Sequence, residues 1–392
     1  MQFKKIDDLD LKNKIVLIRV DMNVPIKNGQ ITDGTRITAG LKTIRYCLQS
    51  GAKIIIATHL GRPIEGTCNP EDSVAPIAKQ LDQDLGLNKS IEIIANLDHA
   101  IDFTDTNIVM LENVRCNIGE KQNSQVLGQK YANLCDIFVH DAFATAHRAE
   151  ASTDAIGQFT KQVCAGFLMS SELDALAKVA ANPKHPVVAI VAGSKVSTKL
   201  SILNNLADKV DYLILGGGIL NTFLLARGNK IGKSLAEPDL IDEARQISDK
   251  MKNRGAYLPL PQDVVVTKEF SETASATIKL VGELDNDDMI LDIGEKFANS
   301  VADIIKNAGT IIWNGPVGVF EFDKFANGTK IIANAIANSN GFSLAGGGDT
   351  IAAINKFRIY DKIDYVSTAG GALLEFLEGK TLPAVKLLTE KA

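Results

Sequence analysis

The sequence predicts an α/β protein built from two doubly wound, parallel-sheet domains of Rossmann-like type and similar size, joined by a helix, with an active-site cleft between them. Short apolar runs alternate with segments of helical period along all 392 residues, which is the signature of strand–helix–strand units. An amphipathic stretch at mid-chain, stopped by Pro183 and Pro186, divides a half rich in arginine at its turns from a half rich in glycine. The length itself fits two or three domains with full-sized cores.

Composition narrows the function. A hydrophobic content of 45% and a charged content of 23% are those of an ordinary globular protein. The formal net charge is −5, without an arginine-rich or lysine-rich block, so nucleic acid is not an expected partner. Cysteines 47, 68, 116, 135 and 164 are odd in number and form no CxxC pair, as expected of reduced thiols in a cytoplasmic protein. The N-terminal MQFKKIDDLDLKNK has no apolar signal core, and no apolar run reaches membrane-spanning length. A soluble protein with no membrane association is expected.

In the first half, Ile15–Val20 reads as a strand that exits into Asp21, Met22, Asn23, Val24 and Pro25. Thr35–Gln49 reads as a helix capped by Thr35, and Lys53–Thr58 as a strand exiting into His59, Leu60, Gly61, Arg62 and Pro63. A helix at 72–85, strands at 91–95 and 107–112, a helix at 124–134 and a strand at 136–139 follow. In parallel sheets ligands bind at the carboxyl ends of the strands. Those exits carry Asp21, Asn23, His59, Arg62, Arg115 and Arg148, with Arg36 at the start of the next helix. A lone arginine here is most often a surface ion pair, and a lone histidine a loop residue. Four arginines at successive exits instead suit a ligand with carboxylate or phosphate groups, which guanidinium grips bidentately. Histidines 99, 140 and 185 lack such a setting and are read as structural.

The helix expected at Ser170–Asn182 is the connector. Beyond it, Val187–Val191 reads as a buried strand breaking at Ala192-Gly193, followed by a helix whose first turns carry Lys195 and Lys199 on one face. Like charges at that spacing and end of a helix are unfavourable, so an anion is expected to compensate them; two solvated surface lysines are the bland alternative. Strands at 212–215, 310–313, 343–345 and 365–367, apolar runs at 264–266 and 289–293, and helices at 219–226, 239–252, 295–306 and 370–378 continue the alternation. Glycine turns at 216–218, 315–318 and 346–348 follow strands, where glycine lets backbone N–H groups approach phosphate. Such clusters also serve tight turns for steric reasons alone. Together with Lys195, Lys199 and the Asp349 carboxylate they suggest a nucleotide polyphosphate with Mg²⁺. Gly228–Ser234 falls one residue short of a P-loop and reads as an exposed turn, and a GxGxxG after a strand is missing.

Nearly the whole chain resembles the phosphoglycerate kinase family, through RVDMNVP (19–25), ATHLGRP (57–63), LENVR (111–115), DAFATAHRAEAST (141–153), AGSKVSTKL (192–200), LGGGILNTF (215–223), WNGPVGVFEF (313–322), AGGGDT (345–350) and STAGGALLEFLEG (367–379). The resemblance implies reversible phosphoryl transfer from 1,3-bisphosphoglycerate to ADP, giving 3-phosphoglycerate and ATP, with Mg²⁺ carried on the nucleotide and no tightly bound organic cofactor. It implies a phosphoglycerate-binding domain at 1–169, a connecting helix at 170–185, a nucleotide-binding domain at 186–376 and a tail at 377–392 returning to the first domain. A cytoplasmic monomer that bends about a hinge to expel water is the expected form.

Carried over by position, the phosphoglycerate site comprises Asp21, Met22, Asn23, Arg36, His59, Leu60, Gly61, Arg62, Arg115 and Arg148. The nucleotide site comprises Gly193, Lys195, Lys199, Gly217, Asn314, Glu321, Gly347, Gly348, Asp349 and Thr350, with Asp349 the magnesium ligand and Glu321 at the ribose. Arg36, Lys195 and Lys199 are the expected catalytic residues. The attacking carboxylate is already ionised, so no general base is needed. Departures from the family's usual pattern are Glu150 where a second histidine is common, Cys116 for phenylalanine, Ser194 for alanine, and Ile219-Leu220-Asn221 near the adenine pocket. The alternative function is another ATP-dependent kinase of a small carboxylate on the same fold.

Overall fold

The structure is a computed structural model describing residues 2–367 and 369–392. Met1, and Thr368 of the STAGGALLEFLEG motif, lie outside the described residues. The chain forms two compact units, one ending at Asp174 and including Thr381–Ala392, the other Ala175–Lys380.

The first unit begins with β1 (Ile15–Val20), a small antiparallel hairpin β2 (Ile26–Lys27) and β3 (Gln30–Ile31), α1 (Thr35–Gln49) and β4 (Lys53–Ala57). It continues through α2 (Ala75–Leu85), β5 (Glu92–Ile94), β6 (Ile108–Leu111), α3 (Gln125–Asn133), β7 (Ile137–Asp141), α4 (Ile156–Phe159), β8 (Gln162–Ala165) and α5 (Phe167–Ala180). The sheet is parallel, in the order β5-β6-β4-β1-β7-β8. Its central strands are almost wholly buried and therefore read as unbroken apolar runs. From β1 the chain departs to β4 on one side and later returns to β7 on the other, so the strand order reverses at β1. Ile18, Ile37, Ile44, Ile54, Ile56 and Val139 lie at the centre of this unit's core.

The second unit holds β9 (Val187–Ala192), α6 (Leu200–Ala207), β10 (Tyr212–Gly216), α7 (Gly217–Ala226), α8 (Ile241–Asn253), β11 (Asp263–Thr267), β12 (Thr277–Leu280) and β13 (Met289–Ile293). After them come α9 (Glu295–Lys306), β14 (Thr310–Asn314), α10 (Asn327–Ala337), β15 (Phe342–Gly346), α11 (Gly348–Lys356), β16 (Tyr365–Ser367) and α12 (Gly370–Leu377). Its parallel sheet has the order β10-β9-β14-β15-β16 and reverses at β9. The two-unit, parallel-sheet α/β architecture is the fold class expected from the sequence. Among the described residues no helix is long and apolar enough to cross a membrane.

Several local expectations change. Thr35 does not cap α1; Gly34 occupies that position, and Asp33 accepts from the Thr35 amide at 2.9 Å and hydroxyl at 2.6 Å. Strand β8, with no long apolar run, is not anticipated by its sequence, and neither is the π-helical turn at Ala151–Ala155. The runs at 264–266 and 289–293 belong to a separate antiparallel sheet, β12-β11-β13, rather than to the parallel one. The lysine pair is also placed differently: α6 starts only at Leu200, Lys199 is its N-cap, and Lys195 lies in the preceding loop. The expected helical repulsion between the two therefore does not arise.

The C-terminal helix α13 (Pro383–Glu390) closes the first unit. Ala384 N–H donates to Ala146 at 3.1 Å, and Leu387 lies where a Cβ on Gly157 would come within 2.3 Å of it. A side chain at 157 would therefore push Leu387, 3% exposed, out of a filled core position. Leu387→Ala is expected to destabilise the first unit by about 2–5 kcal/mol, read by chemical denaturation; a loss within the scatter of surface substitutions would mean that α13 is not part of this core.

Candidate functional site

At the carboxyl edge of the first sheet, the exits of β1, β4, β6 and β7 and the start of α1 bring the arginines together. Arg36 Nη1 donates to Asp21 Oδ2 at 2.7 Å while its side chain stays 43% exposed. Asp21 Oδ1 accepts from Asn23 N–H at 3.1 Å, and Asn23 Oδ1 accepts from Gly61 N–H at 2.9 Å. Arg115 donates through Nη1 to the Gly61 carbonyl at 2.9 Å. Arg62 and Arg148 are exposed. His59 is buried, and its pKa lies well below the usual value, through burial first and then the charges of Arg19, Arg115, Arg148 and Arg36. The neutral imidazole thus senses the same cluster of cations. Met22 and Leu60 contribute differently: both side chains are buried, Met22 N–H donates to Thr58 Oγ1, and the Leu60 amide is bonded on both sides by Asn113.

A layer of buried polar groups supports this edge. Arg19, 0% exposed, donates to Ser152 Oγ at 2.9 Å, to the Val20 carbonyl at 2.6 Å and to His59 Nδ1 at 3.3 Å. Guanidinium can only donate, so Nδ1 is the acceptor and the His59 proton sits on Nε2. Ser152 Oγ donates in turn to Glu120 at 2.5 Å, and Tyr131 OH donates to the same carboxyl at 3.4 Å. Burial raises the Glu120 pKa to about 7, against the opposing pull of Ser152 and Arg19. Glu150 lies within the arginine cluster, 3.5 Å from Arg115 Nη2 and 3.9 Å from Arg148 Nη1, and offsets part of their mutual repulsion. Sequence reasoning missed Arg19 and Glu120. The available signal for Arg19 was a charged residue inside the apolar strand IVLIRV.

In the second unit the strand order reverses between β10 and β14, on either side of β9, and Lys199 marks that point. Its Nζ donates to the Ala192 carbonyl at 2.6 Å, the Asn314 carbonyl at 3.1 Å and Asn314 Oδ1 at 2.6 Å, joining the carboxyl ends of β9 and β14. Burial pushes the ammonium down to about 8, with the Asp349 carboxylate opposing. Asn314 Nδ2 donates to the Gly346 carbonyl at 2.8 Å. Thr350 Oγ1 donates to the same carbonyl at 3.0 Å and accepts from Gly315 N–H at 2.8 Å. The Thr350 hydroxyl therefore braces the turn from within.

Glycine is required at two of these turns. At Gly217, φ is +63°, and a Cβ there would lie 2.7 Å from the Gly193 carbonyl oxygen. At Gly347, φ is +103°, and the chain enters α11 with no atom within 4 Å of where a Gly348 Cβ would sit. The start of α11 is thus open, with N–H groups and the helix dipole available to an anion. Gly193, Lys195 and Glu321 lie in exposed or half-exposed loops of this unit, and exposed Asp349 lies in the first turn of α11.

The exposed Asp349 carboxylate, beside an open helix start, suits a divalent ion whose other ligands come from phosphate oxygens and water. The acidic trio Asp285, Asp287 and Asp288 does not, because Lys268 and Lys279 already engage it at 2.5–3.2 Å. The P-loop look-alike rests on that same turn: Lys233 N–H donates to the Asp288 carbonyl at 2.7 Å. Half-buried Lys199 is expected to titrate near pH 8, and Asp349→Asn to lower its pKa further. Lysine side-chain NMR would show this; titration at the usual lysine value would contradict the burial described.

A family model for phosphoglycerate kinase matches residues 6–380. Among solved structures, phosphoglycerate kinase from Coxiella burnetii is 48% identical, with 100% of each chain covered and a TM-score of 0.97. Phosphoglycerate kinase from Pyrococcus horikoshii OT3 is 32% identical, again with 100% of each chain covered, at a TM-score of 0.79. The full-length match does not favour a kinase of another small carboxylate. The chain belongs to the phosphoglycerate kinase family, and is a Mg-nucleotide-dependent phosphotransferase that moves a phosphoryl group reversibly between 1,3-bisphosphoglycerate and ADP.

Proposed function

We propose that the two ligands divide between the units: phosphoglycerate on the arginine-bearing edge of the first, at residues 1–169, and Mg-nucleotide on the lysine- and glycine-bearing edge of the second, at 186–376. Residues 170–185 are then the connector and 377–392 the returning tail. The observation that carries this reading is the difference in chemistry. One edge converges guanidinium groups on a single neutral histidine, and the other presents an open helix start with a carboxylate in its first turn.

On this reading Arg36, Arg62, Arg115 and Arg148 grip the carboxylate and phosphate of the acid, with His59 donating from Nε2. Asp21 and Asn23 hold Arg36 and the Gly61 loop in place. The α11 start, through Gly347, Gly348 and Thr350 N–H groups, takes the nucleotide phosphates. Gly193, Gly217 and Asn314 shape the adjoining turns, Glu321 takes the ribose, and Asp349 supplies the protein ligand to Mg²⁺. A carboxylate oxygen of 3-phosphoglycerate attacks the terminal phosphorus of ATP while the bond to ADP breaks. Because the transition state is loose, with charge on the equatorial oxygens, the protein mainly positions and neutralises. Arg36, Lys195 and Lys199 are the residues we assign to that neutralisation. Adenine as the base, a monomeric state and a cytoplasmic location complete the proposal.

Arg36→Ala is expected to lower turnover by orders of magnitude while Mg-ADP affinity, measured by calorimetry, stays near its original value. Asp349→Ala is expected to do the reverse, weakening Mg-nucleotide binding and sparing 3-phosphoglycerate. Equal loss of both ligands in either variant would contradict the division.

A further inference from the structure

Two of the five thiols meet near the first unit's arginine edge. The side chains of Cys68 and Cys116 are neighbours close enough for each thiol to perturb the other, Cys68 exposed and Cys116 half-buried. The segments that carry them are already held together: Gly66 N–H donates to the Cys116 carbonyl at 2.8 Å, and the Glu65 carboxylate accepts from Gly119 N–H at 3.0 Å and Lys121 N–H at 2.8 Å. Arg115 binds the Gly61 carbonyl from the same side. A disulfide needs neighbouring side chains on backbones that approach, and the bond between Gly66 and Cys116 holds the two segments together two residues from Cys68. Access is open as well, because Cys116 lines a cavity of 510 Å³ with Gly66, Asn117 and Ile118.

The remaining thiols differ. Cys47 and Cys164 are 0% exposed, and Cys135 directs its sulfur at the Tyr131 and Ala132 carbonyls, 3.9 Å from each.

We propose that Cys68 and Cys116 form a dithiol modification site that closes reversibly by exchange with low-molecular-weight disulfides, tying the loop after Arg62 to the turn at Arg115. The Cys68 thiolate attacks one sulfur of the small disulfide and expels one small thiolate, leaving a mixed disulfide. The Cys116 sulfur, having lost its proton to solvent, attacks the Cys68 sulfur and expels the second. Two protein thiols and one small disulfide become one protein disulfide and two small thiols. Cys68 is the attacking member because it is exposed, and the neighbouring Cys116 thiol works against the raising of its pKa by burial, Glu112 and Asp72. Cys116, whose thiol burial pushes up strongly, is the resolving member. A reducing compartment keeps such an accessible pair as thiols at rest and returns it to that state after oxidation.

The test is incubation of the native full-length protein with oxidised glutathione, alkylation, and peptide mapping by mass spectrometry. The expected product is one Cys68–Cys116 cross-linked peptide pair, reversed by dithiothreitol, with the other three cysteines free. Cys116→Ser is expected to stop at a glutathione adduct on Cys68, and Cys68→Ser to form no cross-link. A stable glutathione adduct on Cys68 of the unsubstituted protein, a cross-link through another cysteine, or no reaction at either position would overturn the proposal.

Discussion

Like-charge repulsion is the constraint around which the first unit is built. Two guanidinium groups about 4 Å apart repel by about 4 kcal/mol at the effective dielectric of a protein surface, and this unit sets Arg36, Arg115 and Arg148, with Arg19 beneath, around one histidine at a sheet edge. It does so by placing carboxyl groups among and below them. Asp21 holds Arg36, Glu150 stands beside Arg115 and Arg148, and Glu120 reaches Arg19 through Ser152. The histidine in their midst is left neutral, so it adds a hydrogen-bond donor without adding another charge. Binding of a polyanion would relieve what repulsion remains.

The second unit meets a related requirement with backbone and one half-buried lysine. Lys199 occupies the point where strand order reverses and satisfies three oxygens at the ends of β9 and β14. Three donors on three acceptors fix its position, and burial lowers its pKa, so the residue is both a brace for the strand ends and a cation poised to respond to added negative charge. The glycines around it are matters of space. At Gly217 and Gly218 the neighbouring 193–194 loop comes too close for any side chain, whereas at Gly348 the space is open. The same residue type thus serves packing at one turn and access at another.

Much of this was legible in the sequence because parallel strands buried on both faces must be apolar throughout, and their polar exits stand out against them. Arg36, His59, Arg115, Lys199 and Asn314 were all readable in this way. The failures have definite causes. Periodicity does not separate an antiparallel strand from a parallel one, so Val264–Val266 gave no warning of a third sheet. Lysines four residues apart imitate a helical face, yet Gly193 and the turn at 197–199 delay α6 until Leu200. Buried polar partners such as Glu120 and Ser152 are separated by 32 positions in the chain and become visible only when folding brings them to 2.5 Å. The departures at Glu150 and Cys116 acquire meaning in the same way, through the neighbours that each one meets.

The assignment of one ligand to each unit is tested most directly by amide hydrogen exchange on the full-length protein with 3-phosphoglycerate alone and with Mg-ADP alone. The acid is expected to protect the segments around Asn23, Gly61 and Arg115, and the nucleotide those around Gly217, Gly348 and Thr350. Protection of the arginine-bearing segments by Mg-ADP alone, with none at the start of α11, would contradict it.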